Sequence, residues 1–233
     1  MNTPPPPLVV EGLRKSYRRR AVLGGVSFVV RPGEALAVIG ANGAGKSTLL
    51  GCLSGDRLPD AGTVRICGAD AFAEPTTVAR CLGVVPEQPF LYGELTVAEM
   101  LDFVRQARDL PADEGAREAE RLLALLGLHA AQDVLCRELS QGMGRKLALI
   151  CALLHRPRLL VLDEALNGLD QTSAQRLIAE LDARRAQGAA VLLSSHDLAF
   201  MARWCQRGLL LAPGAAWRLL DGDAWPNELR VES

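Results

Sequence analysis

Short, almost wholly apolar runs alternate along this chain with longer stretches in which apolar residues recur every three or four positions. Residues 35–39, 159–162 and 190–194 are near-continuous apolar runs among helical patterns, which predicts strands of a parallel sheet covered on both faces. Residues 26–30 and 35–39 flank the turn Arg31-Pro32-Gly33-Glu34 and predict a strand pair. Residues 63–67 predict a further strand, preceded by a turn at 58–62 and closed by Gly68-Ala69-Asp70. From about 87 to 138 the period turns helical. Val97, Met100, Leu101 and Val104 share one face behind the capping box Thr96-Val97-Ala98-Glu99, and a second helix through 121–126 stops at Gly127. Helices around 146–154 and 174–187 return the chain to the sheet pattern. Residues 208–211 predict an edge strand, and Asp221-Gly222-Asp223 a turn. Four prolines at 4–7 make residues 1–7 an extended tail, so the expected domain is 8–233 with a helical insert at about 87–140.

Onto this pattern the sequence places a phosphate cradle. Gly40-Ala41-Asn42-Gly43-Ala44-Gly45-Lys46-Ser47-Thr48 follows the β-branched pair Val38-Ile39 and precedes a helix-forming run at 49–53. Its glycines let successive N–H groups converge on one anion, at the positive end of the next helix dipole. Lys46 would reach the β- and γ-phosphates of a nucleotide, and the Ser47 hydroxyl would ligate Mg²⁺. The apolar run at 159–162 ends in Asp163-Glu164. Beside the cradle, Asp163 can hold Mg²⁺ while Glu164 polarises an attacking water; an acidic pair at a strand end can also cap the next helix.

Composition narrows the setting. A formal net charge of −1 gives no global footprint for nucleic acid, and Arg14-Lys15 with Arg18-Arg19-Arg20 reads as a solvated edge. Cysteines 52, 67, 81, 136, 151 and 205 form no C-x-x-C pair, which argues against a zinc site or a disulfide framework and fits a reducing cytosol. The longest uncharged apolar run, 147–154, is too short to span a bilayer, and residues 1–7 lack the pattern of a signal peptide. The expectation is a soluble protein whose membrane contacts go through a partner.

With these residues in place, the chain resembles the ATP-binding subunits of ABC transporters over nearly all of 8–213. Leu139-Ser140-Gln141-Gly142-Met143 is similar to the family signature L-S-G-G-Q, with Gln141 and Met143 departing from it. The resemblance implies that Ser140 and Gly142 contact the γ-phosphate of a nucleotide held by the opposite subunit; a serine before a helix is also simply an N-cap. It further implies that Tyr17 stacks on adenine, that Gln88 contacts Mg²⁺ and the reacting water, that Asp170 lies in a loop crossing the dimer interface, and that His196 contacts the γ-phosphate. Taken singly, Tyr17 reads more often as a core aromatic, Gln88 as a loop residue and His196 as a structural histidine. Ala165 stands where the family usually has proline. The implied fold is an α/β P-loop NTPase core with a mainly parallel sheet, an N-terminal antiparallel β subdomain and an inserted helical subdomain. The implied cofactors are ATP and Mg²⁺. The implied partners are a second ATP-binding subunit, identical or homologous, and a membrane-spanning permease on a separate chain, docked near residues 89–92. That permease would place the chain on the cytoplasmic face of the cell membrane. The signature variant and chain length resemble exporter subunits; an importer ATPase is the alternative, then a P-loop small-molecule kinase or a soluble ABC-type ATPase.

Overall fold

The computed structural model describes residues 4–18, 20–221 and 225. Residues 1–3 of the expected tail, Arg19 of the basic cluster, and Gly222 and Asp223 of the expected turn lie outside the described residues. In chain order the elements are β1 (Leu8–Tyr17), β2 (Arg20–Val30), β3 (Ala35–Ile39), α1 (Lys46–Ser54), β4 (Ala61–Ile66), β5 (Ala69–Asp70), α2 (Pro75–Cys81), β6 (Leu82–Val85), α3 (Val97–Ala107), α4 (Ala112–Leu126), α5 (Gln141–Leu153), β7 (Leu159–Asp163), α6 (Gln171–Ala186), β8 (Ala190–Ser194), α7 (Leu198–Trp204), β9 (Arg207–Ala212) and β10 (Ala216–Asp221).

Every residue of β3, β7 and β8 is buried, and alternation sends successive side chains into two different cores. Ala37, Leu160, Leu162, Val191 and Leu193 enter one core; Leu36, Val38, Leu159, Val161 and Leu192 enter the other. Such strands belong in the middle of a sheet. The six-stranded sheet runs β10-β9-β3-β8-β7-β6, parallel except for the antiparallel β9–β10 pair. A second, antiparallel sheet runs β2-β1-β4-β5.

Two expectations fail here. β2 and β3 do not pair, because Arg31-Pro32-Gly33-Glu34 carries the chain from one sheet to the other: β2 pairs with β1, and β3 lies between β8 and β9. The strand at 208–211 is not an edge, since β9 is flanked by β3 and β10, and Leu209 and Leu211 are buried. The N-terminal strand β1, the short elements α2 and β6, and the terminal α7 and β10 were not anticipated.

The helical stretch has no core of its own. α3 opens with the expected capping box, in which the Thr96 hydroxyl accepts from the Glu99 N–H while Glu99 accepts from the Thr96 N–H, and α4 ends on Gly127 in the left-handed conformation. Val97, Leu101, Leu122 and Leu126 then pack into the same core as Leu147, Leu160 and Leu162. A charge cluster around the buried Glu118 ties α4 to α6 and to the loop after α5: Glu118 accepts from Arg121, Arg156 and Arg184, and Glu180 from Arg121 and Arg184. Burial works to raise the Glu118 carboxyl, but the hydrogen bonds from Arg121 and Arg156 prevail and hold it at about 2.

Behind β6, His155 is buried with Nε2 at 3.0 Å from the Leu82 carbonyl, while its Nδ1 has no partner among the described residues. Burial, then the nearby Arg108 and Arg184, push its pKa from 6.5 to about 4. The unfolded chain therefore binds a proton that the folded chain refuses, and stability falls as pH drops below 6.5 towards 4. We predict a loss of about 2 kcal/mol between pH 7 and 5. Urea unfolding across that window should show it in the wild type and a flatter profile in His155→Gln; identical profiles would remove His155 as the cause.

Candidate active site

Parallel strands point their carboxyl ends the same way, so the loops leaving β3, β6, β7 and β8 gather at one end of the sheet. A cavity of about 270 Å³ opens there, lined by Val22, Asn42, Gly43, Gly45, Lys46, Ser47, Thr48, Glu87, Asp163, Glu164 and His196. The glycine-rich loop forms one wall. Gly40 and Gly45 carry φ of 148° and 109°, and a Cβ at Gly40 would come within 2.3 Å of the Leu211 carbonyl oxygen, so no other residue fits that position. Gly45 caps α1 without a side-chain bond, which leaves the first N–H groups of the helix open to an anion. Lys46 Nζ folds back onto the loop, donating to the Gly40 carbonyl at 2.7 Å and the Ala41 carbonyl at 3.5 Å. Ala44, expected at the nucleotide, is instead buried in the core and does not line the cavity.

The acidic wall is set by one hydroxyl. Register pairs Asp163 with Ser194 across β7 and β8. Ser194 Oγ donates to Asp163 Oδ1 at 2.5 Å and accepts from the Glu164 N–H at 3.0 Å. Glu164 is buried and left-handed, with φ of 50°, a conformation that costs a non-glycine residue about 1–2 kcal/mol and needs its surroundings to hold it. They do: its carboxylate accepts from Asn167 Nδ2 at 2.9 Å and from the His196 N–H at 3.2 Å, with His196 Nε2 3.4 Å from Oε1. Ser194 and Asn167 escaped the sequence reading. A serine closing a buried strand, three positions ahead of an aspartate cap, was the available signal for the first.

The other expected residues are placed outside this cavity. Gln88 lines an adjoining pocket with Ser47 and Asp163. Tyr17, with 40% of its surface exposed, lies at the end of β1, its hydroxyl accepting from Arg57 at 2.9 Å. Ser140 caps α5 by accepting from the Met143 N–H and is otherwise exposed, and Gly142 faces the Gly168 carbonyl. Asp170 caps α6 and pairs with Lys146 at 2.7 Å. The Asp170 carboxyl is held well below its ordinary range by the Lys146 hydrogen bond and then by the Ser173 N–H. A larger cavity of about 630 Å³ lies over the Glu118 cluster, and the two carboxylates among its described lining residues, Glu118 and Glu180, are both shared among arginines.

The donor set suits a phosphate chain with its metal: open helix N–H groups and a lysine on one side, a serine hydroxyl and a carboxylate on the other. The volume is below the roughly 300–1,000 Å³ of pockets that enclose whole drug-sized ligands, so a nucleoside would extend outside it.

Similarity to known proteins agrees with this geometry. The family described as ABC transporter matches residues 23–167. The Nod factor export ATP-binding protein I of Ralstonia nicotianae is 36% identical over 200 residues, covering 86% of this chain and 62% of that protein. The ABC-type transporter ATP-binding protein EcsA of Bacillus subtilis is 32% identical, covering 89% and 84%. A solved structure titled as the ATP binding subunit of an ABC transporter superposes with a TM-score of 0.89 at 35% identity, covering 97% of this chain and 98% of that one. A fold shared over nearly its whole length and a sequence match through both walls of the cavity make this chain a member of the ABC transporter family, as an ATP-binding subunit.

Proposed function

We propose that the chain binds ATP with Mg²⁺ at the glycine-rich loop and hydrolyses it as the motor of a transporter whose membrane-spanning part is a separate permease. One observation carries the reading: Glu164, anchored through both backbone and carboxylate, lines the same cavity as Lys46, Ser47 and Asp163. Bound Mg²⁺ supplies positive charge to the phosphate oxygens. The chain's own part is to orient. Ser47 and Asp163 would hold the metal, with Gln88 beside them; Lys46 exchanges loop carbonyls for phosphate; Glu164 takes a proton from water at its carboxylate; and His196 lies against both carboxylate and cavity. Tyr17 supplies the aromatic face outside the cavity for the base.

Ser140 and Gly142 serve a different nucleotide. They lie on the first turn of α5, away from their own cavity, so a second copy or a homologue must bring its signature turn to this Lys46, with the Asp170 loop between them. The permease docks where apolar side chains follow residue 88. Phe90 is 78% exposed, and Tyr92 stacks edge-to-face with Phe90 at 5.4 Å and with Phe103 at 5.1 Å. Among the described residues no helix is long and apolar enough to cross a membrane. Export is the direction we propose, because a relative named for Nod factor export is similar over 86% of this chain.

Three experiments test the reading. Glu164→Gln should retain ATP binding and lose turnover by about 10²–10⁴, measured as phosphate release; near-normal turnover would return Glu164 to helix capping. Tyr17→Ala should weaken ATP binding about five- to a hundredfold while Tyr17→Trp does not, since stacking on a base is worth roughly 1–3 kcal/mol. Equal titration curves for Tyr17→Ala and wild type would leave Tyr17 as ordinary surface. Lys46→Ala and Ser140→Arg should each be inactive as homodimers, yet mixing them after demonstrated subunit exchange should restore part of the phosphate release. Such a mixture pairs one intact loop with one intact signature. Activity no higher than the sum of the separate proteins would show that both act on one subunit's nucleotide.

A further inference from the structure

Beyond the ends of β6 and β7 the ladder stops, and the carbonyls of Glu87 and Glu164 project past the last strand partners, Val85 and Leu162. One side chain from a third element takes both. Arg145, in α5, donates Nη2 to the Glu87 carbonyl at 2.6 Å and Nη1 to the Glu164 carbonyl at 2.5 Å. Gly142 and Arg145 are three residues apart on this helix, so one face carries both the signature turn and the fork. A guanidinium is suited to this work: it is planar, permanently charged and presents paired donors at fixed spacing.

The Glu164 carbonyl also accepts from the Asn167 N–H at 3.1 Å, and Glu87 is exposed to water. The Glu164 carbonyl keeps that partner when Arg145 is removed. What the arginine supplies is a fixed distance between the segment carrying Glu87 and Gln88, the left-handed Glu164, and the helix that presents Ser140 and Gly142.

We propose that Arg145 is a positioning residue that holds Glu164 and residues 86–89 in register beside the cavity and ties both to the signature helix. A partner nucleotide gripping the first turn of α5 thereby pulls on the group that handles water in this subunit's own cavity. This rests on the reading of Glu164 as the base.

The test uses the full chain with Arg145→Met, which keeps the apolar stem and removes the donors, and Arg145→Lys, which returns one charged donor. ATPase should fall about 10- to 100-fold in kcat for Arg145→Met, the scale of a misplaced catalytic group, with KM for ATP within about threefold of wild type and an unchanged thermal midpoint. Arg145→Lys should recover part of kcat. Amide hydrogen exchange in the nucleotide-free protein should quicken at residues 86–89 and 164–167 in Arg145→Met. A wild-type kcat in Arg145→Met, in a protein whose Glu164→Gln variant is inactive, overturns the positioning role. Unchanged exchange at the two segments overturns the clamp whatever Glu164→Gln does, because that readout involves no turnover. Full turnover in Glu164→Gln strikes at the base assignment instead.

Discussion

Burying both faces of β3, β7 and β8 leaves their backbone groups to pair with the strands on either side, and the rest of the molecule follows from that constraint. Strands of this kind cannot carry charge along their length. Polar chemistry is displaced to where each strand ends, and because the pairs are parallel the ends of β3, β6, β7 and β8 coincide. The glycine-rich loop, Asp163-Glu164, Ser194 and His196 are thus neighbours although up to about 150 residues of chain separate them.

At those ends the unpaired backbone becomes machinery. The open N–H groups of α1 form one wall of the cavity. On the opposite wall the left-handed Glu164 is held from four sides, by Ser194, Asn167, His196 and Arg145. Holding the backbone this firmly restricts where the carboxylate can point, which suits the role of proton acceptor proposed for it. Arg145 reaches this site from α5, the helix capped by Ser140.

The helical insert is bound to this core in two ways of different character. Its apolar face shares the core of the main sheet, which fixes it in place without direction. Glu118 adds direction, because a buried carboxylate answered by three guanidinia is costly to leave unpaired and so specifies how α4 meets α6 and the loop after α5. Its aromatic residues Phe90, Tyr92 and Phe103 remain on the outside, stacked on one another.

What the sequence determined by itself was local. The β3-to-α1 cradle, the acidic end of β7, the capping box at Thr96 and the helix stop at Gly127 depend on residue spacing and on glycine's backbone freedom, which act within one turn or one strand. The tertiary structure decided partners. It separated β2 from β3, although only four residues join them, because one strand had a hairpin partner in β1 and the other two parallel neighbours from far along the chain. It turned the strand at 208–211 from an edge into an interior strand by adding β10. It also chose Ser194 for Asp163, 31 residues away, and Arg145 for the carbonyls of Glu87 and Glu164. A hydroxyl or a guanidinium in a sequence has many acceptors within reach of an unfolded chain. Only the packed sheet, by bringing two particular strand ends beside one helix, leaves it these.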